Sequence, residues 1–482
     1  MAVGSPVDRR RWLVLSAVSV GTFMATLDGS IVNIALPSIG EAFGIDLGTV
    51  EWVVVAYLLV IGSLLLPFGR LGEVLSFRRV YLAGFAIFTV ASVLCGASPG
   101  PGALIASRAV QGVGAAMIMA MGPAIIARTF GPGERGKALG LNAISVSIGL
   151  SLGPALGGLL TEFGTWRAIF FVNVPVGIFA IMWAARVLPV EAPGGRQRFD
   201  ILGAALSAGG FCALLLALNQ GETWGWTSPA ILGLLALAMG LGAAFVIVER
   251  RTVAPMMDLG LFRIRAFSAG LVAVVVAFAG LFTATFLLPF LLQEGSGYTP
   301  LEAGLLITPI PIASALVAPF SGAISDRIGQ RLPASLGIAV LAVGLLSLTT
   351  LPDDFAVGDL AWRLALIGAG QGLFLPPNSS SILGSVPRPR LGTASGMIAQ
   401  MRVMGQALGI VVSAAVVVLR LPVHLAALGS PPPADAQQTA FIMAAEDAFV
   451  VAALICSVGI VASLMRGGAR PGGGARPGGG GA

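Results

Sequence analysis

The sequence predicts an all-α integral membrane protein of fourteen transmembrane helices with both termini in the cytoplasm. Three observations carry that prediction: composition, the length of the apolar runs, and the placement of basic residues. Of 482 residues, 56% are hydrophobic and 10% charged, with a mean hydropathy of +0.93. Soluble domains carry about 25% charged residues, so bilayer lipid is the solvent that suits this chain. The 66 glycines lie within apolar runs, where small residues let helices approach closely. Cys95, Cys212 and Cys456 are far apart in such runs, which argues against a disulfide framework, a metal site or a redox role. The net charge of +6 does not point to nucleic acid, because Lys137 is the single lysine and the arginines are scattered in short groups.

Runs of about 20 apolar residues can cross the hydrocarbon core as helices. They fall at 12–34, 50–69, 80–98, 103–127, 138–160, 167–188, 200–219, 229–248, 266–292, 302–324, 333–351, 361–384, 395–419 and 443–465. With the N-terminus inside, 23 of the 28 basic residues fall in cytoplasmic segments, from Arg9, Arg10 and Arg11 to Arg466, Arg470 and Arg476. The outer loops hold acids instead, among them Glu41, Asp46, Glu162, Glu222, Glu294, Asp353 and Asp435. Lys and Arg counted loop by loop set membrane orientation, and an even number of spans puts both ends in the cytoplasm.

In the first run, LDGSIVNIALP places Asp28 about 25 Å along the helix from Arg11, with Asn33 just beyond it. A carboxylate at that depth is costly unless paired, hydrated or protonated, and the same desolvation suits it to carry a proton. The alternative is an Asp that pins neighbouring helices through Ser or Asn partners. The second run carries Trp52 and Tyr57, and the turn after it, GRLGEVLSFRR, sets Gly69 and Glu73 among Arg70, Arg78 and Arg79. Charge pairs between helix ends there could lock one conformation, as opposed to simple cytoplasmic decoration. In the fourth run LIASRAVQGVGAA holds Arg108 and Gln111; a guanidinium cannot shed its proton, so it needs an acid, water or an anion, unless it snorkels to the interface. The fifth run, SIGLSLGPALGGLL, sets Gly149, Gly153, Gly157 and Gly158 nearly on one face around Pro154, a pattern for tight packing with a bend.

The chain also repeats itself. GAISDRIGQR after the tenth run, with Asp326, Arg327 and Arg331, matches the Gly69–Arg79 turn at an offset of 253, and Arg363 recurs where Arg108 stands in the first half. The expected domains are a six-helix bundle over 1–190, a linker with two additional helices over 191–265, a second six-helix bundle over 266–466 and a disordered Gly/Arg/Pro tail over 467–482.

These residues carry a resemblance. The chain resembles the major facilitator superfamily over nearly its whole length, and within it the fourteen-span drug:proton antiporter family. LDGSIVNIALP is similar to that family's first-span signature, with Ser30 for threonine. Gly69, Leu71, Glu73, Arg78 and Arg79 follow its loop signature, with Glu73 for Asp and Ser76 for the last glycine. Arg108, Gln111, Gly112 and Gly114 match its arginine signature, and Gly149, Gly153, Pro154, Gly157 and Gly158 its antiporter signature; WRAIFFVNVPVG, the stretch around Trp52 and Tyr57, and GTASGM from Gly392 resemble it too. The resemblance implies a major facilitator fold of two bundles plus an inserted pair, in a bacterial inner membrane. It implies export of a lipophilic drug or antibiotic in exchange for protons by alternating access, without a cofactor.

On this reading Asp28 and Arg108 couple protons, and Asp28, Asn33, Trp52, Tyr57, Gln111, Phe282 and Phe286 line the substrate cavity. Expected partners are the small molecule, protons and membrane lipids, with the chain working as a monomer. An uncoupled facilitator or an importer of a small metabolite on the same fold stays open. A membrane enzyme is disfavoured, since His424 is the one histidine, in an outer loop, and no P-loop or nucleophile triad spacing occurs.

Overall fold

The computed structural model describes residues 6–45, 47–163, 165–190, 199–252, 255–295, 298, 300–352, 355–428 and 436–464. The expected tail over 467–482 and the linker residues 191–198 lie outside them. Among the described residues every regular element is helical: α1 (Pro6–Phe43), α2 (Leu47–Val74), α3 (Phe77–Gly96), α4 (Pro101–Thr129), α5 (Arg135–Phe163), α6 (Ala168–Phe171), α7 (Asn173–Val187), α8 (Ile201–Trp224), α9 (Pro229–Arg251), α10 (Arg265–Phe290), α11 (Pro300–Ile307), α12 (Pro309–Ile328), α13 (Arg331–Leu348), α14 (Val357–Ser385), α15 (Leu391–Ala427) and α16 (Ala436–Leu464). Starts are set by local chemistry. Ser76, Asp200 and Ser228 accept from Arg79 N, Gly203 N and Ile231 N as N-caps of α3, α8 and α9, and Pro101, Pro229 and Pro309 open α4, α9 and α12.

Twelve of these helical stretches, among the described residues, are long and apolar enough to cross a membrane, two fewer than the expected fourteen. The two runs not among them are α5 and α14, both 29 residues long. Residues 154 and 155, inside α5, have side chains outside the described ones, and the helix is otherwise as apolar as α4; α14 alone is diluted by polar residues. α14 contains Arg363, Gln371, Pro376, Pro377, Asn378 and four serines.

Helices α1–α7 pack among themselves, as do α10–α16. The two sets meet mainly along α2 against α15 and α5 against α12, while α8 and α9 pair with each other and α8 leans on α2. Glycines permit the closest approaches. A Cβ on Gly69 would overlap the Gly392 carbonyl, and one on Gly392 the Gly69 carbonyl; Gly136 and Gly322 stand in the same reciprocal relation between α5 and α12. All four lie near the ends of their helices, so the two sets are in backbone contact at that end of the bundle.

Candidate functional site

Asp28 lies in the middle of α1, fully buried, and five elements converge on it. From α4, Arg108 Nη1 donates to Asp28 Oδ2 at 2.7 Å, and Gln111 Nε2 donates to Oδ1 at 2.9 Å. From α7, Asn173 Nδ2 donates to Oδ1 at 2.8 Å. Gln111 is itself oriented: its Oε1 accepts from Arg108 Nη1, and its Nε2 also reaches Ser92 Oγ on α3 at 2.9 Å. On α2, the Val53 carbonyl accepts from Arg108 Nε at 3.0 Å, and the Tyr57 ring lies beneath the guanidinium, 3.9 Å from Cζ to centroid. Helical spacing of three residues puts Arg108 and Gln111 on one face of α4, which is why both reach a single carboxylate.

Such a pair is expensive to bury, and the surrounding donors and the aromatic face offset that cost. Arg108 is no more than 1% exposed and Asp28 not at all, so the arginine does not snorkel to an interface. The ion pair ties α1 to α4, and the amide of Asn173 adds α7 to the same carboxylate.

The turns after α2 and α12 hold a second construction. Glu73 Oε1 accepts from Thr393 N at 2.7 Å, in the first turn of α15, while Oε2 is paired with Arg70 at 2.8 Å. Asp326 at the end of α12 accepts from Gly136 N and Lys137 N, each at 3.0 Å, in the first turn of α5. Each acid satisfies helix N-terminal amides that have no partner in their own helix, and sits at the positive end of the helix dipole. The sequence expectation of charge pairs with Arg78, Arg79, Arg327 and Arg331 is corrected here. Arg78 donates to the Ala185 carbonyl at 2.6 Å, and Arg79, Arg327 and Arg331 are surface residues with no ion pair among the described residues. Arg79, Arg327 and Arg331 face outward, whereas the shorter carboxylates of Glu73 and Asp326 reach into the crossing between the halves.

A profile of the Major Facilitator Superfamily matches residues 18–410. The chain belongs to the major facilitator superfamily. It is 34% identical to the riboflavin transporter RibZ of Clostridioides difficile (strain 630), over 94% of this chain and 97% of that protein. It is 32% identical to the tetracenomycin C resistance and export protein of Streptomyces glaucescens, over 83% of this chain and 74% of that one. Its fold matches the crystal structure of the human organic anion transporter MFSD10 (TETRAN), with a TM-score of 0.66 at 16% identity, over 95% of this chain and all of the other.

Within this major facilitator chain the remaining expected site residues are dispersed. Gly149 and Gly153 of α5 abut Thr26 and Ser30 of α1, where a Cβ would overlap either hydroxyl, and Ser30 Oγ donates to the Gly149 carbonyl at 3.0 Å. Gly157 is buried, Gly158 has open space where a Cβ would stand, and α5 stays helical through Pro154, whose side chain lies outside the described residues. Tyr57 and Gln111 join Asp28, but Asn33 is exposed on α1 and Trp52 half-buried on α2, away from that cluster. Phe282 and Phe286 also stand apart from it, in a ladder on α10. Phe282 stacks on Phe278 at 6.5 Å between centroids, and Phe286 meets Phe290 at 5.5 Å. Asp28 is engaged by Arg108, Gln111 and Asn173, while the two phenylalanines pack on neighbours along α10.

Asn173 and Ser92 went unremarked in the sequence. An asparagine inside WRAIFFVNVPVG was the signal for the first, since an amide in an apolar run needs a partner. Nothing distinguished Ser92 from other helix serines.

Proposed function

We propose that this chain is a proton-coupled exporter of lipophilic small molecules, working by alternating access in the cytoplasmic membrane of a bacterium. The observation that carries the reading is the ion pair of Asp28 and Arg108, fully buried between α1 and α4. Intramembrane carboxylates earn their place by function more often than by stability. In this reading α5 and α14 also cross the bilayer, making fourteen spans: bundles over 1–190 and 266–466, an inserted pair over 191–265, and both termini in the cytoplasm. The chain acts as a monomer among lipids.

The cycle follows from the two constructions. With the glycine crossings and the acid-to-amide contacts made, the cytoplasmic side is closed. A proton entering from outside neutralises Asp28 and loosens its hold on Arg108; release of that proton inward re-forms the pair. Substrate occupies the space between halves in the state that Asp28 selects, so proton and compound move in opposite directions.

The test uses purified protein in liposomes with a lumenal pH probe, offering lipophilic cations, neutral antibiotics and organic acids in turn, with wild type beside Asp28→Asn. Substrate-triggered proton movement in wild type that disappears in the variant is the expected result. Proton movement that survives Asp28→Asn would send the coupling site elsewhere. The similarity to a riboflavin transporter supports a second reading, an uncoupled facilitator or an importer of a metabolite. Riboflavin flux in either direction, indifferent to Asp28→Asn, would favour it.

A further inference from the structure

Five basic residues lie outside the cytoplasmic groups: Arg108, Arg167, Arg363, Arg402 and Arg420. Four are satisfied by the protein. Arg108 has Asp28, Arg167 has the carbonyls of Gly96 and Ser98, Arg363 has Asp359 and the carbonyls of Ser347 and Thr350, and Arg420 has Asp447. Arg402 has none. Its Nε is buried without a hydrogen-bond partner, and no hydrogen bond or ion pair engages its terminal nitrogens among the described residues. Its one recorded contact is with the Phe278 ring, 5.8 Å from Cζ to centroid.

The position makes this costly. Arg402 is eleven residues into α15 from the cytoplasmic end at Leu391, about 16 Å along the helix and so near the bilayer midplane. An arginine cannot neutralise itself there by losing its proton, and such charges face the protein interior and find a counter-ion.

The geometry says which way it faces. Gly405 and Gly409 press α15 against the Val275 and Ala279 carbonyls of α10, and Gly396 and Val403 press it against Leu65 and Gly62 of α2 in the other half. Two arcs remain between those flanks. One carries the exposed Ala415 and Val418, the latter 62% exposed. The other carries Ser395, Arg402, Gln406 and Ser413 at seven- and four-residue intervals, with both serines fully buried. Arg402 thus points between the two halves, with the Phe278–Phe282 stack running outward from it on α10.

We propose that Arg402 is the receptor for a negatively charged group of the substrate, and that the preferred substrates are aromatic organic anions: carboxylates, sulfonates or ionised phenols. The guanidinium supplies a bidentate donor to the oxyanion, and Phe278 and Phe282 supply stacking for the ring behind it. The proposal rests on the transporter reading above but names a different residue and a different half.

The test measures binding by fluorescence anisotropy on the purified full-length protein, with fluorescein and rhodamine 123 as probes of one ring system and opposite charge. Wild type is expected to favour fluorescein. Arg402→Gln should weaken it about ten-fold or more without weakening rhodamine 123, while Arg402→Lys, which keeps the charge but loses the bidentate fork, falls between wild type and Arg402→Gln. Equal fluorescein affinity in wild type and a normally melting Arg402→Gln would overturn the proposal, as would a wild-type preference for rhodamine 123.

A measurement on wild type alone guards against a variant that does not fold: 2-naphthoate should displace the bound fluorescein and its methyl ester should not, and equal displacement counts against the proposal. Binding needs no proton gradient. Arg402-dependent binding without gradient-driven flux would therefore defeat the export reading and leave this one standing. Gradient-driven export of both dyes, alike in wild type and Arg402→Gln, would do the reverse.

Discussion

At the scale of single residues, the buried pair makes a thermodynamic demand that can be measured apart from transport. Removing one partner of a buried ion pair leaves the other charge uncompensated and costs about 3–5 kcal/mol, whereas removing both leaves only neutral hydrogen-bonding groups. Asp28→Asn strands Arg108 above Tyr57, and Arg108→Gln strands Asp28 among two amides. Thermal melts should show each single variant strongly destabilised and the double variant, Asp28→Asn with Arg108→Gln, well short of the sum. Strict additivity would mean that the two charges do not sense each other, against a 2.7 Å contact. This scale is also where the sequence is most and least informative. Asp28 and Arg108 stand out as charges in apolar runs, because lipid tolerates few of them. Their partnership does not stand out, since it depends on how α1 and α4 cross, and Arg402 hides because an intramembrane arginine looks alike whether or not it finds a partner.

At the scale of elements, Glu73 and Asp326 act on helices rather than on side chains. A carboxylate over first-turn amides is worth roughly 1 kcal/mol through the helix dipole and its hydrogen bonds, and it slows exchange of those amide protons. Glu73→Gln keeps an acceptor but loses the charge, and should raise hydrogen–deuterium exchange at the start of α15 around Thr393. Asp326→Asn should do the same for Gly136 and Lys137 at the start of α5. Exchange unchanged in both variants would show that the contacts carry no weight in solution. The repeat in the sequence singled out the glycine and the acid in each turn, and both are used. Their targets lie in the opposite half, at Gly392 and Gly136, and no local pattern could reveal a pairing that exists only once two sets of helices are brought together. Span assignment fared differently: the periodic apolar runs are legible because lipid demands them, while α14 blurs because a helix rich in small and polar residues at a packed interface needs less apolar surface of its own.

At the scale of the whole molecule, the two acid-to-amide contacts bias one equilibrium. Both are made only when the end of α2 meets the start of α15 and the end of α12 meets the start of α5, and both must break before the two halves can separate at that end. Because each acts on the same pair of states, their effects on the population ratio multiply: about 1 kcal/mol per contact is roughly a five-fold shift, and the two together roughly thirty-fold. Spin labels at Leu75→Cys and Arg388→Cys, exposed positions at the cytoplasmic ends of the two halves, would report the distance distribution between them. Wild type should show a short-distance population, Glu73→Gln a modest long-distance shoulder, and Glu73→Gln with Asp326→Asn a dominant long-distance population. If the double variant moves no further than either single one, the contacts are alternatives instead of partners. One half of the repeat would then hold the closed state alone, and the symmetry of the two turns would reflect shared ancestry without shared mechanical duty.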